Sequence, residues 1–278
     1  MNIRTPVVAG KFYPGTKKEL TALLDSIHES EAGNINTGLA EEHILGGVVP
    51  HAGYEFSGYE ATHFFENIRK TSRQYHTIII VNPSHNYTAE PLSVDSHTHW
   101  QTPLGKTAVN QSFARELNLP FSSEAGKFEH SGEVMLPFLQ YYLDYPFQIV
   151  PITMAEQTVE NAKHLAGVID NANKHKDQDI LLLASSDFSH FLAPETGRKL
   201  DDLVLDQIQK FNTEGVYREV TRHHISVCGF GPIMTLMEYA RLISSKPVAK
   251  ILKRGDSAKT YPSREVVNYV CLLVFGSH

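Results

Sequence analysis

The stretch "DILLLASSDFSH" (residues 179–190) sets five apolar or small residues in a row and then switches to serines, an aspartate and a histidine. Such a run is too short for a helix, and its continuous apolarity suits a strand buried on both faces. Two other stretches repeat the plan. "HTIIIVNPSH" (76–85) and "ILGGVVPHAG" (44–53) are apolar runs that each end at a histidine. Further strand-length runs lie at 147–153, 248–254 and 267–275. Helix candidates fall between them, at 59–70, 110–117, 133–142, 158–174, 197–211 and 232–243. Leu200, Leu203, Val204 and Ile208 illustrate the helical spacing. Strands alternating with helices predict an α/β fold, a three-layer αβα arrangement around a central, mostly parallel sheet. No repeat or Pro/Gly/Ser-rich linker divides the chain, so residues 1–278 read as a single domain. Residues 86–106 are poor in helix signal and read as an inserted hairpin beside the site.

Composition narrows the function classes. The 278 residues are 41% hydrophobic and 20% charged, with a formal net charge of −6. Without a basic field, nucleic acid and anionic membrane are not expected partners, and a small-molecule or peptide ligand is. No apolar run approaches the roughly 20 residues that span a bilayer, and the N-terminus lacks the apolar core of a signal peptide. The two cysteines, Cys228 and Cys271, form no disulfide framework. A cytoplasmic location is the expectation.

In open α/β sheets, ligands bind beyond the carboxyl ends of the strands. That rule selects His51, His85 and Asp187, with His190 three residues further on. Each also has an ordinary reading. A histidine after a strand can bond a turn, and Asp187 can cap a helix. In "SVCGFGP" (226–232), Cys228 stands near the start of a helix, where the dipole favours a thiolate. Its ordinary reading is a small buried hydrophobe, which Cys271 fits well. Two histidines and a cysteine form an N₂S donor set suited to iron, copper or zinc rather than magnesium or calcium. "EHSGEVMLPFLQYY" (129–142) adds His130 and Glu133 on one helical face, as ligand-supporting, substrate-contacting or capping residues. His97 and His99 read as exposed.

"PVVAGKFYP", "PHAGYEFSG", "NPSH", "TPLG", "EHSGEVMLPFL", "SSDFSH" and "CGFGP" occur in the order found in the Memo family, also called AmmeMemoRadiSam system protein B. The chain resembles that family from its N-terminus through the last strand. The family is similar in fold to the LigB-like extradiol dioxygenases, which use non-haem iron. The resemblance implies metal ligation by His51, His85 and Cys228, with Asp187 and His190 as catalytic polar residues of the same pocket. It implies iron (Fe²⁺) or copper as cofactor, zinc less so, and a thiolate where the dioxygenases have a carboxylate. A radical SAM protein is the partner that it implies.

Three functions compete. A metal-dependent redox enzyme, dioxygenase-like, would use His190, oriented by Asp187, to move protons. A non-catalytic peptide- or protein-binding module would use the same pocket, lined by Tyr54, Phe56, Tyr87 and Trp100. A hydrolase would use zinc-bound water or Cys228 as nucleophile.

Overall fold

The computed structural model describes residues 2–86, 88, 90–176 and 179–276. The chain opens with β1 (Ile3–Arg4), α1 (Lys17–Glu31), β2 (His43–Val49), α2 (Tyr54–Lys70) and β3 (Thr77–Pro83). Short elements follow: β4 (Leu92–Asp95), β5 (His99–Thr102), β6 (Gly105–Ala108), α3 (Gln111–Glu116), β7 (Phe121–Ser122) and α4 (Met135–Tyr142). The remainder is β8 (Gln148–Met154), α5 (Val159–Lys176), β9 (Ile180–Ser185), β10 (His190–Leu192), α6 (Pro194–Gln209), α7 (Thr213–His223), α8 (Phe230–Ile243), β11 (Val248–Asp256) and β12 (Val266–Gly276).

Strands run β10-β12-β2-β9-β3-β8-β4-β7 across the large sheet, and β11 pairs with β12. The four central strands, β2, β9, β3 and β8, are parallel. The flanks are not: β12 joins β2 antiparallel, and β4 joins β8 antiparallel. The sheet is therefore mixed, with its main parallel part at the centre and a short parallel pair, β4 with β7, at one edge. The three-layer plan is written in the alternation of the strands. Ile78, Ile80, Leu181 and Leu183 face a core built with α1, α2 and α4, while Ile79, Val81, Leu182 and Ala184 face one built with α3, α5, α6, α7 and α8. The hairpin of β5 and β6 pairs with β1 in a separate three-stranded sheet. No helix among the described residues is long and apolar enough to cross a membrane.

Helix α2 begins at Tyr54, five residues before the predicted start, and takes in Gly58, a residue that reads as a break in a helix. A Cβ at 58 would sit 2.8 Å from Ile27 Cδ1, so glycine here lets α1 and α2 pack closely. On the same helix Glu60 is 1% exposed and its Oε2 has no hydrogen-bond partner among the described residues. Burial pushes its carboxyl up from 4.5 to about 7, against the pull of Lys259 and Lys253. Below pH 4.5 it is protonated whether folded or unfolded. Between 4.5 and 7 only the unfolded chain ionises, so stability falls through that window, by up to about 3 kcal/mol. Glu60→Gln does not titrate and is expected to gain on the wild type by that amount. Urea unfolding of both at pH 4.5 and pH 8 checks it, and an unchanged difference would refute it.

Candidate metal centre

Strands β2, β9 and β3 lie side by side and parallel, so their carboxyl ends share one edge. His51 stands two residues beyond β2, Asp187 two beyond β9 and His85 two beyond β3. The two strands that carry the histidines therefore flank β9 rather than pair with each other, and the side chains meet across its end. Cys228 reaches the same point from the turn between α7 and α8. That turn is pinned to the end of β9. Gly229 N–H donates to Ser186 Oγ at 3.0 Å, Cys228 N–H to the Asp187 carbonyl at 3.3 Å and Asp187 N–H to Cys228 Sγ at 3.1 Å. Gln157 ties the same turn from α5's approach, donating to the Cys228 carbonyl at 2.8 Å.

The ligand atoms of His51, His85 and Cys228 all lie within 4.8 Å of one another, a group able to hold a metal ion. Cys228 Sγ is 3.0 Å from His51 Nε2. Each imidazole is held from behind at Nδ1. His51 Nδ1 meets Ser185 Oγ at 2.8 Å, and Ser185 Oγ donates in turn to the Ser131 carbonyl at 2.7 Å. His85 Nδ1 meets Glu129 Oε1 at 2.9 Å. Both Nε2 atoms are left with a lone pair, the usual arrangement of metal-binding histidine.

Electrostatics agree with that arrangement for His51 and oppose it for His85, whose upward shift favours the charged ring. Burial holds His51 well below the usual histidine range, so its ring is neutral. Burial would lower His85 also, but the bond to Glu129 outweighs it and the shift is upward. Glu129 is held at about 2: burial opposes this, and the bond from His85 prevails. Cys228 departs from expectation. Burial, with Asp187 adding to it, pushes the thiol well above its ordinary range, so the helix start does not by itself produce a thiolate. A cation must displace that proton.

Asp187 Oδ1 accepts the His51 backbone N–H at 2.8 Å, and burial pushes its carboxyl up to about 6. Asp187 does not orient His190. The His190 ring is set by the Ser226 carbonyl, 2.9 Å from Nδ1, and its backbone N–H donates to Ser226 Oγ at 2.8 Å. The next residue, Phe191, takes φ +57° at an irregularity in the β10–β12 pairing and is 72% exposed.

Other expected residues fall elsewhere. His130 is at the site, its ring 4.7 Å from that of His85 and 5.5 Å from that of His51. Glu133 instead faces the N-terminal segment, accepting from Arg4 Nη1 at 2.6 Å, Val8 N–H at 3.0 Å and Tyr13 O–H at 2.7 Å. Tyr54 and Trp100 are 1% and 3% exposed and belong to the core, so they line no groove. Phe56 does line a cleft of about 210 Å³, with Phe12, Tyr13 and Gly53. Tyr87 lies outside the described residues. His97 is not exposed as expected but bonds Asp95 through Nδ1 at 2.8 Å. Glu129, Ser131 and Ser185 escaped the sequence reading; Glu129 directly precedes His130 in a motif already singled out.

Gly229 is indispensable to this geometry, because a Cβ there would run into the Ser185 carbonyl. Gly229→Ala is expected to destabilise the fold by about 1–3 kcal/mol and to lower metal uptake by moving Cys228. Chemical denaturation and metal titration read the two effects. Full retention of both would contradict the packing described.

The Memo-like protein family model matches residues 4–273. A MEMO1 family protein of Methanosarcina mazei is 34% identical over 99% of this chain and 100% of its own length. One from Sulfurisphaera tokodaii is 32% identical over 96% and 98%. Among solved structures, an uncharacterized protein from Escherichia coli K12 shares the fold, with a TM-score of 0.53 at 14% identity, covering 78% of this chain and 92% of that one. With the match running through all three strand ends and the Cys228 turn, the chain belongs to the Memo family.

Proposed function

We propose that the chain acts as one domain, a metal-dependent redox protein in which His51, His85 and Cys228 hold iron or copper; zinc, which the donors also suit, has no redox chemistry and so is the poorer match for that function. The observation that carries this reading is the convergence of a ring nitrogen from each histidine and one sulfur within 4.8 Å. The donor set fits. Imidazole suits iron, copper and zinc, and thiolate favours copper and zinc over hard cations. Bound iron or copper would supply Lewis acidity and one-electron chemistry. The chain's own groups supply the rest. His190 Nδ1 is engaged with the Ser226 carbonyl, so Nε2 is free to take up or return a proton from a ligand. Asp187 holds the His51 backbone in place, and burial pushes its carboxyl up to about 6. His130 faces the two ligand histidines and is kept neutral by burial, as suits a hydrogen-bond partner for a bound small molecule.

The test is anaerobic loading with iron(II) or copper, followed by oxygen uptake on addition of a reductant or catechol. The wild type is expected to bind metal and consume oxygen, and His51→Ala to lose both. Metal loss in His51→Ala with undiminished uptake would overturn the reading.

A second reading, a peptide- or protein-binding module, is favoured by the cleft beside the centre. Its Phe12 ring lies 4.8 Å from His130 and so joins the cleft to the site. A radical SAM protein is the partner in that reading. Pull-down of such a protein that survives chelator and Cys228→Ser would favour it over the redox enzyme.

A further inference from the structure

We infer that Ser131 is a positioning residue that couples His51 to His85, fixing the tautomer of both imidazoles from one buried point. Its consequence for ion binding rests on the proposed metal reading; its geometry does not.

A serine hydroxyl carries one proton. Ser185 Oγ gives its proton to the Ser131 carbonyl at 2.7 Å, so toward His51 Nδ1 at 2.8 Å it can only accept. His51 is therefore protonated at Nδ1, and its Nε2 lone pair faces Cys228 Sγ. On the other side, Ser131 N–H and Oγ–H both donate to Glu129 Oε1, at 3.0 and 2.6 Å. The alternative acceptor for the hydroxyl, the Pro83 carbonyl, is 3.4 Å away, and the closer, charged acceptor wins. Glu129 also takes His85 Nδ1 on Oε1 at 2.9 Å and His85 N–H on Oε2 at 2.6 Å. An ionised carboxylate only accepts, so His85 too is protonated at Nδ1.

The chain His51–Ser185–Ser131–Glu129–His85 is thus continuous. It enters Ser131 at the carbonyl and leaves from the N–H and hydroxyl. Ser131 and Ser185 are both fully buried, so water does not compete for these bonds. A displacement of Ser131 moves the acceptors behind both rings. The two lone pairs are then presented together, and an ion that prefers nitrogen and sulfur meets both or neither.

The test is ¹⁵N NMR of the imidazoles in the full metal-free chain, with cobalt(II) titration alongside. In the wild type both histidines are expected to carry the proton on Nδ1. Ser185→Ala should mix the tautomers of His51. Ser131→Ala, which removes the hydroxyl bond to Glu129 but keeps the carbonyl behind Ser185, should shift the signals of His85, and Ser131→Thr, which keeps the hydroxyl, should restore them. Cobalt affinity should fall about 10- to 100-fold in each alanine variant. A neutral ring with its proton on Nε2 at either histidine in the wild type, or His51 tautomers left unmixed in Ser185→Ala, would overturn the coupling. Should Ser131→Ala not fold, the wild-type spectrum and Ser185→Ala still decide. Tautomers as stated with no cobalt binding would sink the metal reading and leave the relay standing.

Discussion

Cys228→Ser is expected to lower the affinity for iron(II) or copper(I) by about 100-fold or more, the upper end of what losing even an outer-sphere partner costs. The serine hydroxyl is smaller, harder and not deprotonated at neutral pH, so it offers a soft ion little. The fold should survive. Cys228 is only partly buried, and the turn around it is held by backbone and side-chain bonds that serine leaves intact. Metal titration under anaerobic conditions, with unfolding curves in parallel, separates lost ligation from lost structure. Metal affinity in Cys228→Ser within a factor of a few of the wild type would remove the sulfur from the centre. Binding should also weaken as pH falls. Protons compete for His85, which is shifted upward, and the thiol, already pushed up, must be deprotonated for binding.

Arg4→Met carries the largest stability effect outside the centre. Arg4 pairs with Glu133 at 2.6 Å, and both side chains are almost fully buried. Its other nitrogens donate to the Gly126 carbonyl at 3.0 Å and the Glu129 carbonyl at 2.7 Å, and its guanidinium lies 4.3 Å from the Trp100 ring centroid. Methionine fills much of the volume but leaves Glu133 as a buried charge without its cation, which costs about 3–5 kcal/mol. Adding Glu133→Gln removes that charge. The double variant is then expected to cost less than the sum of the single ones by about 1 kcal/mol or more. Because Arg4 also holds the Glu129 carbonyl, the loss should reach metal affinity through His85. Urea unfolding of the four members of the cycle decides the matter. A cost under 1 kcal/mol for Arg4→Met would mean that Glu133 is satisfied by Val7, Val8 and Tyr13 alone.

The fold was legible where apolar runs were long. All six expected strands are present, and their ends carry His51, His85 and Asp187 to one edge. The direction of β12 was not legible, because a continuous apolar run looks the same whichever way it pairs. Helices α1 and α7 went unread although their signals exist. Thr16 caps a helix with Leu20, Leu24 and Ile27 on one face, and Asn212 caps one with Val216 and Val220. The candidate ligand set, His51, His85 and Cys228, is legible in strand ends and motif order. Its supports are not, since Glu129 lies 44 residues from His85 and Ser185 lies 134 from His51, separations that carry no periodic signal. The same limit explains His190. Its partner is a backbone carbonyl 36 residues away rather than the aspartate three residues before it. Cys228 shows the opposite error. The helix start beside it is real, but burial outweighs the dipole and keeps the thiol protonated.

X-ray absorption of the protein loaded anaerobically with iron(II) or copper tests the central claim most directly. A first shell containing one sulfur and two imidazoles, with the sulfur lost in Cys228→Ser and an imidazole lost in His51→Ala, is the predicted result. A shell of nitrogen and oxygen alone, unchanged by Cys228→Ser, would contradict it.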